Sequence, residues 1–233
     1  MSIMNDITVT CPSCEEQITV TLAESVNADR RPDLRQEIIE GTFQVVACSG
    51  CGTEFMLDPV LNYLDMERGQ WFSVQPAQRL GDWMAVEDEA SATFDLAYGG
   101  QASAQAREIG DELSPRLVFG WPALREKLLI GDAELDDSIV ELTKLAMIHG
   151  LPGAPIQAGV EMRLVDTQDD GGLVFQWADM FSGDVLETLV APRALYDSII
   201  EAPEAWADMK ASVEDGLFVD IQKLFVGEGR AAG

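Results

Sequence analysis

Basic residues are scarce in this sequence. Fifteen Lys and Arg stand against 41 Asp and Glu, a net charge of −26, and a field of that sign repels phosphate backbones and anionic lipid surfaces. The expected partners therefore include no nucleic acid and no membrane. Histidine is nearly absent: His149 is the single one, which excludes a His-rich metal centre and leaves one imidazole for acid–base work. No run reaches the ~18 apolar residues that a membrane span needs. Met1 to Thr10 lacks the basic start, apolar stretch and small-residue cleavage pattern of an export signal, so the expected location is cytoplasmic. Neither a Gly-x-Gly-x-x-Gly stretch, a phosphate loop nor a Gly-x-Ser-x-Gly elbow occurs, and nucleotide binding and serine-hydrolase chemistry have no motif behind them.

Cysteine is sparse but ordered. The chain has 233 residues and four cysteines, all in its first quarter, as Cys11-Pro12-Ser13-Cys14 and Cys48-Ser49-Gly50-Cys51. In a reducing compartment paired Cys-x-x-Cys favours a metal over disulfides. A knuckle works because a tight turn aims two thiolates at one ion, and a glycine after the second cysteine lets the backbone amides face the sulfurs. Gly52 fills that place in the second knuckle, whereas Glu15 stands there in the first, which leaves its amide geometry less assured. Strand-like runs flank both: Ile7–Thr10 and Ile18–Leu22 around the first, Phe43–Ala47 and Glu54–Leu57 around the second. Two facing hairpins are the zinc-ribbon plan. Closing the 33 residues between Cys14 and Cys48 costs ~3 kcal/mol, against roughly 10–16 kcal/mol from a structural zinc site. Within that insertion Pro32, Leu34, Ile38 and the stop Gly41 predict a short helix.

The metal expected at Cys11, Cys14, Cys48 and Cys51 is structural zinc, since a full thiolate set leaves no coordination position for water or substrate. Iron in a rubredoxin-like electron carrier uses the same knuckles and is the alternative. A thioredoxin-like redox pair fits less well, because strand alternation rather than a helix follows Cys14.

Four stretches resemble the CpXC domain family of bacteria and archaea: Cys11-Pro12-Ser13-Cys14, Ser25–Glu40, Cys48–Phe55 and Pro59–Trp71, and Leu124–Leu145 resembles the family's segment downstream of the knuckles. The resemblance covers roughly the first two thirds of the chain. It implies a metal-binding module and carries over no activity, so the four cysteines are the only functional residues it transfers.

Beyond the knuckles, Phe94–Tyr98 reads as a strand, Ala102–Ile109 as a helix and Arg116–Gly120 as a strand. Asp132 is placed to cap a helix with an acidic first turn (Glu134, Asp136, Asp137), an apolar stripe (Leu135, Ile139, Leu142 and Leu145 or Ala146) and a stop at Gly150. Leu151–Pro155 is the best linker. After it, Val160, Met162 and Leu164 alternate with Glu161 and Arg163, and turns at 169–172 and 182–184 separate two further strands. Helices are expected around 192–201 and 203–209, then a loose tail at 229–233.

The fold class expected is α+β: a zinc-ribbon-like two-knuckle N-terminal part packed with a mixed α/β layer, then an antiparallel β-meander with helices. The domain reading is 1–150 and 151–233, the second either a separate unit or an extension of the first. His149 suits the negative end of a helix, Asp136-Asp137 a helix start and Asp169-Asp170 a turn. Arg30, Arg31 and Arg35 form the one basic cluster, read as a solvated face, and the five tryptophans are read as core anchors. The function expected is a non-catalytic binding or adaptor protein whose acidic surface engages a protein partner. An enzyme with a carboxylate site in a cleft between the two parts is the alternative.

Overall fold

A computed structural model describes residues 2–58, 60–151, 153, 155 and 159–226. The chain runs β1 (Ile3–Thr10), β2 (Gln17–Asn27), α1 (Pro32–Glu40), β3 (Val45–Ala47), β4 (Glu54–Met56), β5 (Leu61–Asp65) and β6 (Gln70–Gln75). It continues through α2 (Trp83–Tyr98), α3 (Ala104–Asp111), β7 (Ser114–Phe119), α4 (Gly120–Asp132) and α5 (Asp137–Gly150). Then come β8 (Val160–Thr167), β9 (Leu173–Asp179), β10 (Val185–Ala191), α6 (Arg193–Glu201), α7 (Pro203–Glu214) and α8 (Gln222–Val226). The class is α+β, with sheets β1-β2-β5-β6-β7, β10-β9-β8 and the hairpin β3-β4.

The mixed five-stranded sheet is covered on both faces around β6, which buries five successive residues, Gln70 to Val74. Val118 joins Leu34, Ile38, Leu124 and Leu128 of α1 and α4 on one side, while Leu117 and Phe119 meet Val86 and Ala90 of α2 on the other. Helix α1 starts with Pro32, buries Leu34 and Ile38, and ends at Gly41 in the left-handed conformation (φ 74°). The meander β8-β9-β10 packs Met162, Leu164, Phe175 and Trp177 against Ile139, Leu142 and Leu145 of α5 and Ile199 of α6. That core draws on residues from both sides of position 151. Of the linker segment, Pro152 and Ala154 lie outside the described residues, as does the tail at 229–233. Trp71 and Trp177 are buried, and Trp121, Trp83 and Trp206 pack against the edges of three cores.

Two local expectations are corrected. Phe94–Tyr98 is the last stretch of α2 and not a strand. The alternation of Phe94, Leu96 and Tyr98 imitates a strand, but Leu96 is 85% exposed, whereas Phe94 packs on Trp71 (5.2 Å) and on Tyr98 one turn later (5.1 Å), the i, i+4 pairing of a helix. Asp132 does not cap α5: it closes α4 and pairs with Arg35 at 2.5 Å and Arg68 at 3.3 Å. Asp136 is the cap, accepting from the amides of Ser138 (2.9 Å) and Ile139 (3.2 Å), and Asp137 alone is acidic in the first turn.

Candidate metal centre

The two knuckles sit at the tips of two antiparallel hairpins, β1-β2 and β3-β4. Their backbones match in hydrogen-bond pattern. Cys11 N donates to Glu16 O (2.9 Å) and Glu15 N to Cys11 O (3.0 Å); Cys48 N donates to Thr53 O (2.9 Å) and Gly52 N to Cys48 O (2.8 Å). The turn requires a left-handed residue after the second cysteine, and both hairpins supply one: Gly52 at φ 73° and Glu15 at φ 61°.

Glu15 therefore adopts the conformation that glycine takes freely, and the amide geometry left less assured by the sequence is present. Ser13 N reaches Cys11 Sγ at 3.4 Å, and the amides of Glu16 and Thr53 face Cys14 and Cys51. The left-handed backbone costs a non-glycine residue about 1–2 kcal/mol, part of which glycine returns through its freer unfolded chain. Glu15→Gly should accordingly stabilise the metal-loaded protein by about 0.5–1 kcal/mol, read as a rise in the denaturant midpoint with unchanged slope.

The hairpins bring all four sulfurs within 4.8 Å of one another. Cys11 Sγ lies 3.7 Å from Cys51 Sγ, and Cys14 Sγ lies 3.7 Å from Cys48 Sγ. Sulfurs at the corners of a tetrahedron with ~2.3 Å metal–sulfur bonds stand about 3.8 Å apart, so the set can hold one metal ion. Cys11 and Cys48 are buried beside Ile18, Val9, Val20 and Phe55, while Cys14 and Cys51 face solvent. Each hairpin thus contributes one inner and one outer sulfur. Hydrogen bonding with the Thr53 hydroxyl and amide holds Cys51 down at about 6. At Cys14 the Glu16 amide pulls downward, but hydrogen bonding to the neighbouring thiols and desolvation outweigh it and push the thiol up to about 12. A divalent ion removes that competition, because metal ligation requires every thiol deprotonated.

A second convergence of charge was not legible in the sequence. Glu126 of α4, Glu141 of α5 and Asp220 bring carboxylate oxygens within 4.8 Å of one another, but three cations already contact them, Lys127 reaching Glu141 at 3.5 Å. Lys144 Nζ contacts Glu126 (2.8 Å) and Glu141 (2.9 Å). Arg163 contacts Glu126 (2.9 Å), Glu161 (2.6 Å) and Asp220 (2.5 Å). All seven side chains are buried. Burial pushes Glu141 and Glu161 upward against the pull of Lys144 and Arg163, respectively. At Asp220 and Glu126 the cations outweigh burial, and Asp220 falls to about 2. With its lone pairs and protons matched inside the protein, the cluster is an internal ion-pair network joining α4, α5, β8 and the C-terminal segment.

The remaining candidates are local. His149 is exposed in the last turn of α5. Asp170 accepts from Gly172 N in the β8-β9 turn (3.0 Å). Arg31 is held by Asp33 and Arg35 by Asp132, so these two members of the basic cluster are already paired. Among the described residues no helix is long and apolar enough to cross a membrane.

No curated protein and no solved structure matches the chain. A family model, CpXC protein, matches residues 9–144, which takes in both knuckles, strands β2, β5, β6 and β7 of the five-stranded sheet and the first eight residues of α5. On that match, which spans more than half of the sequence, the chain belongs to the CpXC family.

Proposed function

We propose that this chain is a zinc-stapled, non-catalytic binding or adaptor module that engages a basic protein partner through its acidic surface. The observation that carries the reading is the four-sulfur set with 3.7 Å separations. Thiolates at all four corners leave a tetrahedral ion no open position, so its contribution is to hold two hairpins together. Their tips project four thiolates that, with a divalent ion, keep a net charge of about −2. Residues 1–75 add 12 acidic against 4 basic side chains, a surface suited to steering a cationic partner. The two-hairpin arrangement supports a zinc-ribbon description of this part.

Metal analysis of protein purified from its native source, followed by low-salt capture of partners, tests the reading. The expected result is one zinc per chain and a stoichiometric partner that Cys48→Ser protein fails to retain. Loaded protein that retains no partner overturns the adaptor role.

A second reading, a rubredoxin-like iron electron carrier, draws support from the amides of Ser13, Glu16 and Thr53 at the sulfurs, since such contacts tune iron–sulfur potentials. Ferric thiolate absorbs visible light and zinc thiolate does not, so a colourless stoichiometric complex rejects it.

A further inference from the structure

Between the N-terminal part and the meander lies a groove of about 540 Å³, within the roughly 300–1,000 Å³ range of small-molecule sites. Its apolar wall includes Met56, Leu57, Trp121, Met180, Phe181 and Val185. Phe181, at the turn after β9, is 62% exposed.

Arg125 of α4 also lines this groove. Its Nε is buried and meets no hydrogen-bond acceptor, and the side chain forms no ion pair among the described residues, in a chain with 26 excess negative charges. The other charged groups of the wall are engaged. Arg163 is bound by Glu126, Glu161 and Asp220; Asp179 accepts from the amides of Phe181 (2.9 Å) and Ser182 (2.8 Å); Asp58 accepts from Gln78 (3.4 Å). Nε itself is closed to solvent, so a ligand in the groove meets the guanidinium through its terminal nitrogens, where a carboxylate forms a charge-assisted hydrogen bond.

We propose that this groove binds a small amphipathic carboxylate, its apolar body against Trp121 and Phe181 and its carboxylate accepting from the Arg125 guanidinium. A guanidinium presents a planar fork matched to a carboxylate. Asp58 and Asp179 in the same wall disfavour a dianion such as a phosphate monoester. The site lies apart from the four sulfurs, and Met56 at the end of β4 is its one link to the cysteine-bearing hairpins.

Octanoate titrated into the full, metal-loaded chain tests the proposal, followed by nitrogen–proton correlation spectra that resolve the Arg Nε–H groups. The expected result is saturable movement of the Arg125 Nε–H and of the 178–185 amides, with Arg163 Nε–H unmoved. Octanamide and Arg125→Gln should each weaken binding at least tenfold, with Arg125→Lys in between. Phe181→Ser, at an exposed turn with Arg125 intact, should weaken it at least threefold and guards against a folding defect in the arginine variants. Absence of saturation, or equal affinity in Arg125→Gln, overturns the proposal. A capped tripeptide with a free C-terminal carboxylate that saturates the same amides where octanoate does not would also overturn it, by assigning the groove to a peptide end.

Discussion

Arg163→Met should lower the unfolding free energy by about 3–5 kcal/mol, the largest effect expected of any single substitution outside the cysteines. Arg163 is the cation shared by Glu126, Glu161 and Asp220, and its removal leaves three buried carboxylates around one apolar side chain. The penalty is that of uncompensated buried charge rather than the net worth of the pairs, which is small or negative compared with an apolar core. Denaturant titration at neutral pH measures it. Glu161→Gln should cost clearly less, because burial already holds Glu161 above its ordinary value and a neutral amide still accepts from Arg163. The double variant should fall short of the sum, since the second change removes one of the stranded charges. Additivity within about 0.5 kcal/mol would show that the two side chains do not act as a unit.

The same network sets opposite pH dependences. Asp220, lowered to about 2, contributes stability that is complete above the unfolded value near 4 and is lost as pH falls toward 2. Glu161 runs the other way. A carboxyl raised in the folded state favours folding at low pH and loses that contribution as pH rises through its folded value. Glu161→Gln should therefore become relatively less destabilising as pH rises from the ordinary carboxyl range through the raised folded value of Glu161, while Asp220→Asn should lose its destabilising effect on acidification toward pH 2. A stability–pH series on the wild type and the two variants checks both slopes.

Removing the metal, by chelation or by Cys48→Ser, should be the larger effect locally and the smaller one globally. Structural zinc supplies roughly 10–16 kcal/mol to a small module, and β3 and β4 have three residues each, too few to persist as an isolated hairpin. Metal affinity should fall by more than the 10–100-fold typical of losing a partner behind a ligand. In hydrogen exchange, β3-β4 and the tip of β1-β2 should lose protection, while α4, α5 and β8-β9 keep theirs, because their cores draw on none of the cysteines. Uniform loss of protection over the whole chain would instead make the metal part of the global core.

The helix α1 was legible because its signals are local: Pro32 at the start, Leu34 and Ile38 one turn apart, Gly41 left-handed at the end. The meander was legible for the same reason, with Gly171 and Gly183 in the left-handed conformation at its turns and period-two apolar residues between them. Phe94–Tyr98 misled because three large apolar residues two apart satisfy a strand pattern, although the preceding turns of α2 had already fixed the helix. Glu161 and Arg163 look like the wet face of β8, yet α4 and the C-terminal segment cover that face, and the two are 2% and 4% exposed.

What the sequence determined by itself is the four-cysteine cluster and the elements around it, since two Cys-x-x-Cys knuckles supply four sulfurs whatever the rest of the chain does. Only the tertiary structure decided where the charges went. Lys144 meets Glu126 from the next helix, Arg163 meets Asp220 across 57 positions, and Arg125 is left without a carboxylate among the described residues of a strongly acidic chain. Coulombic and hydrogen-bond energies depend on separation in space and on exclusion of water. Neither is encoded in the spacing of residues along the chain.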